Sequence, residues 1–536
     1  MAATPDFFGR QRELRELLRG LDDTLSGTGR AFLLAGESGI GKSRLAQEFA
    51  RQASNRAMVV LWGPAWDEGG APFWPWRQMI RQCLFNPHAH DVLAELGPSR
   101  HDLTIVAPEV SRHVEGETGR APLPEDPELA RLRIFDSVTS FFEIFSRFAP
   151  PLLMIDNLHA VDVPSLRLLR FMCVRLAHAR AMIIGTFDDA ALGHDALRSE
   201  VVGALSAEMV RIPLAGLDRD DLRDLFGKTA GHPISHDEAA ALEVLTGGNP
   251  LFALELARAG YRSNELTAGA SRPPLTNAFR ATVRRHLSPL DDCARRLLSV
   301  ASVIGREFDG LDLRTLAEVD EEAAAYALDE ALKAHLFVPV AAEAGSVRFH
   351  HALLRDALYD EVEPMEKARL HARWGDILVG RSAEGFRVEP AELAYHFQRG
   401  IAAGSARQTV EYAYRAAVVA DSRLAYEEAE RFYTIALRAL RDEPSDVLRC
   451  EVLIGLGIAQ QRSGNFLESR NNLLAAAHLA DRIGAFEHEA RAVLVMADRS
   501  DVHLTDSETV TILRRLGEVR AALPNTMRAA VLGGLA

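Results

Sequence analysis

Residues 36–43 are Gly36-Glu37-Ser38-Gly39-Ile40-Gly41-Lys42-Ser43, a complete match to the G-x-x-x-x-G-K-S pattern of a phosphate-binding P-loop. An apolar run typical of a buried strand, Arg30 to Ala35, precedes this motif, and helix-forming residues from Ser43 to Gln52 follow it. Glycines let the loop curl so that its N–H groups point at phosphate oxygens, and the helix N-terminus adds favourable charge. The alternative, a glycine-rich turn without a ligand, is disfavoured by this flanking pattern.

The motif also predicts a magnesium site. In such a loop, Lys42 reaches the β- and γ-phosphates and the Ser43 hydroxyl binds Mg²⁺. The metal needs a second partner at the end of another buried strand, and the apolar run Pro151 to Asp156 ends in a carboxylate. A strand-end or helix-capping aspartate is the ordinary alternative. We therefore predict ATP or ADP with Mg²⁺ as cofactors, and Ser43 and Asp156 as metal ligands.

The remaining pattern gives the fold class. Two more continuous apolar runs, Met58 to Trp62 and Ala181 to Thr186, are typical of buried strands in a parallel sheet that alternates with helices. The segment from Leu84 to Glu128 is rich in prolines, and we expect it to be irregular. Beyond Leu217 helical spacing replaces the strand signals. The predicted fold is α/β, then all-α.

Composition excludes several other classes. The 536 residues carry a net charge of −14, which argues against a chain-wide electrostatic footprint for nucleic acid or an anionic membrane. The four cysteines are far apart, which excludes a CxxC zinc framework and a disulfide scaffold. No apolar run is long enough to span a membrane, and the N-terminus lacks the features of a signal peptide. We expect a cytoplasmic protein without membrane partners.

Further motifs occur in order along the chain: Phe8-Gly9-Arg10 before the P-loop, then Asp156-Asn157, Thr246 to Phe252, and Phe349 to Tyr359. Together they resemble the signal-transduction ATPases with numerous domains, the STAND class of P-loop ATPases. The most similar members are large LuxR-type ATP-binding transcription regulators and cyclase-associated ATPase modules. The resemblance implies four domains, namely a P-loop nucleotide-binding domain of AAA type (1–215), a helical lid (216–272), a winged-helix domain (273–364) and an incomplete α-solenoid of tetratricopeptide-like repeats (365–536).

The resemblance also implies roles for individual residues. The segment Phe8, Gly9 and Arg10 would lie near the adenine, Pro250 would belong to the lid over the base, and His351 would approach the phosphates and hold a closed, ADP-bound state. Alternatively, the residues around Pro250 form only a turn, and His351 is a core histidine, with adjacent His350 able to take either role. The candidate nucleotide ligands are Phe8, Gly9, Arg10, Gly36, Glu37, Ser38, Gly39, Ile40, Gly41, Lys42, Ser43, Arg44, Pro250 and His351.

Two positions depart from the STAND pattern. Relatives place a second acid where this chain has Asn157, and an amide orients water but does not act as a base near neutral pH. Relatives commonly place a γ-phosphate-sensing arginine where this chain has Asp188. With Asp156 and Asn157 as the candidate catalytic residues, we expect slow hydrolysis or binding alone. Asp162 would compensate if its helix brought it near; the alternative is a helix N-cap.

Small residues recur in the C-terminal part. Ala413, Ala417 and Ala436 have counterparts 40 residues later at Leu453, Gly457 and Ala476, which predicts repeated helix pairs. Such stacks bind proteins or small effectors; a structural spacer is the alternative. The segments from Phe337 to Val340 and from Ser346 to Phe349 are predicted to form a wing hairpin that serves as an internal switch rather than a DNA contact.

These features predict an ATP/ADP-dependent signalling switch. Its output would be transcriptional control, through a partner or a C-terminal DNA-binding domain not evident in this chain, with self-association on activation. Two alternatives remain open: a working ATPase that remodels a protein client, and a repeat scaffold whose nucleotide is a structural ligand.

Overall fold

The computed structural model describes residues 7–65, 70–113, 124, 126–188, 196–258, 292–305, 307–333, 336–340, 346–349, 352–442, 444–497, 507–518 and 523–533. The chain divides into two compact units. The first comprises Met1–Asp67, Phe73–Ala121 and Ile134–Leu370, and the second Glu68–Pro72, Pro122–Arg133 and His371–Ala536.

A five-stranded parallel sheet forms the centre of the first unit, in the order β2-β3-β4-β1-β5. Its strands are β1 (Arg30–Ala35), β2 (Val59–Pro64), β3 (Pro151–Asp156), β4 (Met182–Phe187) and β5 (Val210–Pro213). The parallel sheet predicted from the apolar runs is confirmed, and β1 and β3 begin and end at the predicted residues. Continuous apolar sequence produces such strands because the central strands are covered on both faces.

The helices of this first part of the chain cover the sheet or extend from it. Leu17 on α1 and Leu45 and Phe49 on α2 are completely buried against the strands. The helices are α1 (Gln11–Leu25), α2 (Lys42–Ser54), α3 (Trp74–Leu84), α4 (Ala89–Leu96), α5 (Arg100–Val106), α6 (Pro127–Phe148), α7 (Val163–Arg175) and α8 (Ala196–Glu208).

The expectation of an irregular segment from Leu84 to Glu128 was wrong for residues 89–106, whereas residues 114–123 and 125 lie outside the described part of the chain. Helices α4 and α5 lie there, followed by a 3₁₀ segment, Pro108–His113. Their apolar residues, including Leu93 and Leu103, are buried, so packing overrides the weak local signal. Pro87, Pro98 and Pro108 lie outside α4 and α5 rather than within them.

Trp74 and Trp76, which follow β2, contact neighbouring protein residues. Trp76 is fully buried and donates its ring N–H to the carbonyl of Ser165 (3.2 Å). The Arg77 guanidinium lies over the Trp74 ring.

Three helices follow the sheet: α9 (Arg219–Ala230), α10 (His236–Thr246) and α11 (Pro250–Arg258). Leu222, Phe226 and Leu242 are buried in their shared core. Both α9 and α10 begin with side-chain caps, from Asp218 and Ser235 respectively, which satisfy N–H groups that a helix start leaves unpaired.

A small antiparallel sheet comes next, formed by β6 (Glu307–Asp309), β7 (Phe337–Pro339) and β8 (Ser346–Phe349) in the order β6-β8-β7. Phe337 pairs with Phe349, which confirms the predicted hairpin. The helices before, between and after these strands are α12 (Asp292–Ile304), α13 (Gly310–Ala317), α14 (Glu321–Lys333) and α15 (Ala352–Glu361). The predicted boundary between the helical lid and the winged-helix domain, at residues 272 and 273, lies outside the described residues.

The rest of the described chain is helical and repetitive. Helices α18 and α19 recur 40 residues later as α20 and α21, the interval predicted from the small residues. The helices are α16 (Pro364–Ala383), α17 (Pro390–Arg399), α18 (Ala406–Ser422), α19 (Tyr426–Ala439), α20 (Asp446–Ser463), α21 (Phe466–Arg482), α22 (Phe486–Ala497), α23 (Ser507–Glu518) and α24 (Asn525–Gly533). Among the described residues, none of the helices combines the length and apolarity that a membrane crossing requires.

Candidate nucleotide-binding site

The strand register brings three loops to one edge of the sheet. Ala35, at the end of β1, pairs with Phe187 at the end of β4, and Ile155 on β3 pairs with Gly185 on β4. Parallel strands end on the same side, so the segments after β1, β3 and β4 meet there. Ligands of open α/β sheets bind outside the carboxyl ends of the strands.

The P-loop curls between β1 and α2. Gly39 and Gly41 have φ of 78° and 102°, which side chains disfavour, and Lys42 is the first residue of α2. The Lys42 ammonium donates to the carbonyls of Gly36 (2.7 Å) and Glu37 (2.9 Å), so the lysine folds back over its own loop. A helix start, a glycine loop and a buried cation together fit an anionic phosphate ligand.

Ser43 and Asp156 meet as the sequence predicts. The Ser43 hydroxyl lies 2.9 and 3.0 Å from the two carboxylate oxygens of Asp156. The Thr186 hydroxyl on β4 also donates to Asp156. Hydroxyl and carboxylate oxygens are the ligand types that Mg²⁺ prefers, so this group of side chains fits a magnesium ion. Thr186 was not among the predicted site residues; its position at the end of a buried strand was the available signal.

Asn157 follows Asp156 in a left-handed backbone conformation, with φ of 59° and ψ of 56°. Its N–H donates to the Thr186 hydroxyl (2.9 Å), which fixes the turn after β3. Asp162 accepts hydrogen bonds from the N–H and hydroxyl of Ser165 at the start of α7. Asp162 is therefore an N-cap, and the geometry favours that alternative over compensation for the missing acid.

Arg10 bonds to the P-loop through its side chain. Its guanidinium donates to the carbonyls of Ile40 (2.9 Å) and Ala215 (2.5 Å). Burial lowers the pKa of Arg10, while the nearby Glu13 carboxylate acts in the opposite direction. The expected approach of this segment to adenine stays a prediction, but the contacts assign Arg10 a role in holding the loop.

Three further candidates are Phe8 and Gly9, which precede Arg10, and Arg44, which follows the P-loop. Phe8 packs against the core of α9–α11, and an added Cβ at Gly9 would collide with the Asp221 carboxylate. The Arg44 guanidinium lies 5.9 Å from the centre of the Phe7 ring, and burial lowers the pKa of Arg44.

The start of α11 contacts the P-loop directly. The Asn249 side-chain amide donates to the carbonyl of Ser38 (2.9 Å), and the N–H of Leu251 donates to the carbonyl of Gly39 (3.4 Å). A Cβ added at Gly41 would lie 3.8 Å from Pro250. Asn249 is only 2% exposed. It directly precedes Pro250 in the motif from Thr246 to Phe252, but Asn249 was not among the predicted nucleotide ligands. His351 and His350 lie outside the described residues.

Comparison with known proteins agrees with this geometry. Residues 6–184 match the family described as "AAA ATPase domain". This part of the chain is similar to AAA ATPase domains. The matched residues include the P-loop, the magnesium-type pair Ser43 and Asp156, and the first half of β4. The small antiparallel sheet and the repeated helix pairs are further parts that the STAND resemblance predicted.

Individual similar proteins are distant. An uncharacterized protein of Rhizobium meliloti (strain 1021) is 24% identical over 476 residues, covering 84% of this chain and 44% of its own length. Among solved structures, a STAND protein with a tetratricopeptide repeat sensor from Pyrococcus horikoshii has 16% identity and a TM-score of 0.46, over 99% of this chain and 74% of that one. The ORC2 protein of Aeropyrum pernix has 13% identity and a TM-score of 0.32, over 72% and 98% respectively. The chain thus spans less than half the length of the curated relative.

Proposed function

We propose that this chain is an ATP/ADP-dependent signalling switch. Its P-loop would hold the nucleotide phosphates, with Lys42 as the phosphate-binding cation and Ser43 and Asp156 as the Mg²⁺ ligands. The AAA ATPase domain supports nucleotide binding in general, and the choice of adenine nucleotide is part of the proposal.

The contact between α11 and the P-loop is the observation that carries this proposal. Asn249 and Leu251 bond to two carbonyls of the loop, and Arg10 joins the loop to Ala215. Any change in the loop on binding a different number of phosphates therefore acts directly on hydrogen bonds that hold α11. A ligand shifts a conformational equilibrium only by its differential affinity for the two states, and these bonds supply a physical source of that difference.

Hydrolysis is proposed to be slow. Asp156 would hold the metal, and Asn157 would orient the attacking water without accepting its proton, since an amide is not a base at neutral pH. Asp162 is engaged in capping α7. A long-lived bound nucleotide suits a switch better than an enzyme that turns over rapidly.

The signal and output are proposed from the C-terminal part and from the STAND resemblance. Repeated helix pairs form extended surfaces, and we propose that a protein or small effector binds them in the cytoplasm. The output would be transcriptional control of the LuxR type, through a partner or a DNA-binding domain, with self-association on activation.

Titration of the purified chain with ADP and with a non-hydrolysable ATP analogue, in the presence of Mg²⁺, tests the proposal. We expect both nucleotides to bind, Lys42→Ala to abolish binding, and Asn249→Ala to change the protease sensitivity of α9–α11 in the nucleotide-bound state. Asn55→Ala, at an exposed asparagine after α2, is the control. Failure of the wild type to bind either nucleotide, or undiminished binding by Lys42→Ala, would refute the proposal.

A further inference from the structure

The phosphate-binding lysine lies close to a carboxylate other than that of Asp156. Asp188 follows β4 directly, and its Oδ2 lies 3.9 Å from the Nζ of Lys42. Both side chains are nearly enclosed, with 8% of Lys42 and 11% of Asp188 exposed. This pair is distinct from the metal-type pair, because the Asp156 carboxylate accepts hydrogen bonds from Ser43 and Thr186.

The Asp188 carboxylate reduces the net positive charge that Lys42 presents to a ligand. In P-loop sites the lysine neutralises the β- and γ-phosphates, and the terminal phosphate adds negative charge beside it. Here the carboxylate of Asp188 stands beside that lysine. A carboxylate beside the lysine offsets part of its positive charge and repels a further anion, and low exposure weakens solvent screening of that repulsion.

We propose that Asp188 is a specificity-determining residue that makes the site prefer a nucleoside diphosphate over the corresponding triphosphate. A diphosphate leaves the Lys42–Asp188 pair intact, whereas a triphosphate brings its terminal charge towards the carboxylate. The inference rests on the proposed function, since it concerns the same site. The negative charge of Asp188 would then be what favours the resting, diphosphate-bound state.

The test compares affinities for ADP and the β,γ-imido analogue of ATP, measured calorimetrically on the full chain with Mg²⁺ and again with EDTA. Wild type is expected to bind ADP more tightly. Asp188→Asn, which keeps the shape and removes the charge, should tighten analogue binding about tenfold, equivalent to about 1.4 kcal/mol, and leave ADP binding within about twofold. Asp188→Glu should retain the diphosphate preference. Asp91→Asn, at an exposed acid on α4, is the charge control and should change neither affinity.

The outcomes separate this inference from the proposed function. Binding of neither nucleotide by wild type would overturn both. Binding by wild type with an affinity ratio unchanged in Asp188→Asn would overturn the inference alone. Weaker analogue binding by Asp188→Asn only with Mg²⁺ present would identify Asp188 as a metal ligand and also overturn it. Loss of ATP hydrolysis with an unchanged ratio would reassign the residue to the hydrolytic step, with the same consequence.

Discussion

At the scale of single residues, the proposed role of Asp156 as a magnesium ligand can be tested most directly. Its carboxylate contacts the hydroxyls of Ser43 and Thr186 at the end of β3. Asp156→Asn keeps a hydrogen-bond acceptor but removes the charge that a divalent cation requires. We expect this variant to lose at least about tenfold in Mg²⁺-dependent nucleotide affinity, a step of about 1.4 kcal/mol, while affinity in EDTA stays close to wild type. An equal loss with and without Mg²⁺ would contradict the metal role.

Some residues of the site were predictable and others were not. The P-loop and Asp156 could be identified because each is attached to a local pattern, a glycine spacing or the end of an apolar run. The bonds from Asn249 to Ser38 and from Arg10 to Ala215 join residues about 200 positions apart in the chain. The packing of Asp188 beside Lys42 likewise depends on strand order, and the sequence predicted only that Asp188 departs from the family pattern.

At the scale of elements, apolar continuity determined which strands could be predicted. Strands β1 and β3 each contain a continuous run of at least four buried residues, and their ends were predicted to the residue. Strand β5 was missed because only Ile212 of its four residues is buried, which leaves no run to detect. Helices α4 and α5 were missed because they are short and separated by prolines, and short helices depend on tertiary packing rather than propensity.

Close packing of α20 against α21 leads to a prediction about glycines in helices. A Cβ at Gly457 on α20 would come within 2.5 Å of the buried Leu473 on α21, whereas a Cβ at Gly380 on α16 would meet nothing within 4 Å. Gly457→Ala should lower the local free energy of unfolding by about 1–3 kcal/mol through overpacking. Gly380→Ala, the matched control, should raise it by up to about 1 kcal/mol through helix propensity. Native-state hydrogen exchange of the amides in α16, α20 and α21 measures both, and equal effects would contradict close packing at Gly457.

At the scale of the whole molecule, two compact units of different construction lie in one chain. The first contains the P-loop and the parallel sheet, and the second contains the repeated helix pairs. A repeat array responds locally, because each repeat is stabilised mainly by its neighbours. The proposed switch therefore requires the free energy of nucleotide binding to alter the stability of specific helices in the second unit.

Hydrogen exchange on the full chain tests that requirement. We expect replacement of ADP by a non-hydrolysable ATP analogue, with Mg²⁺, to change amide exchange not only in the P-loop and α11 but also in the repeat helices α18–α21. The reason is that ligands with different affinities for two states shift the populations of both. Lys42→Ala should remove every nucleotide-dependent change, because without binding there is no differential affinity. Changes confined to the first unit in a wild-type chain that binds both nucleotides would mean that the repeats do not respond to the nucleotide, and would favour a scaffold with a structural ligand over a switch.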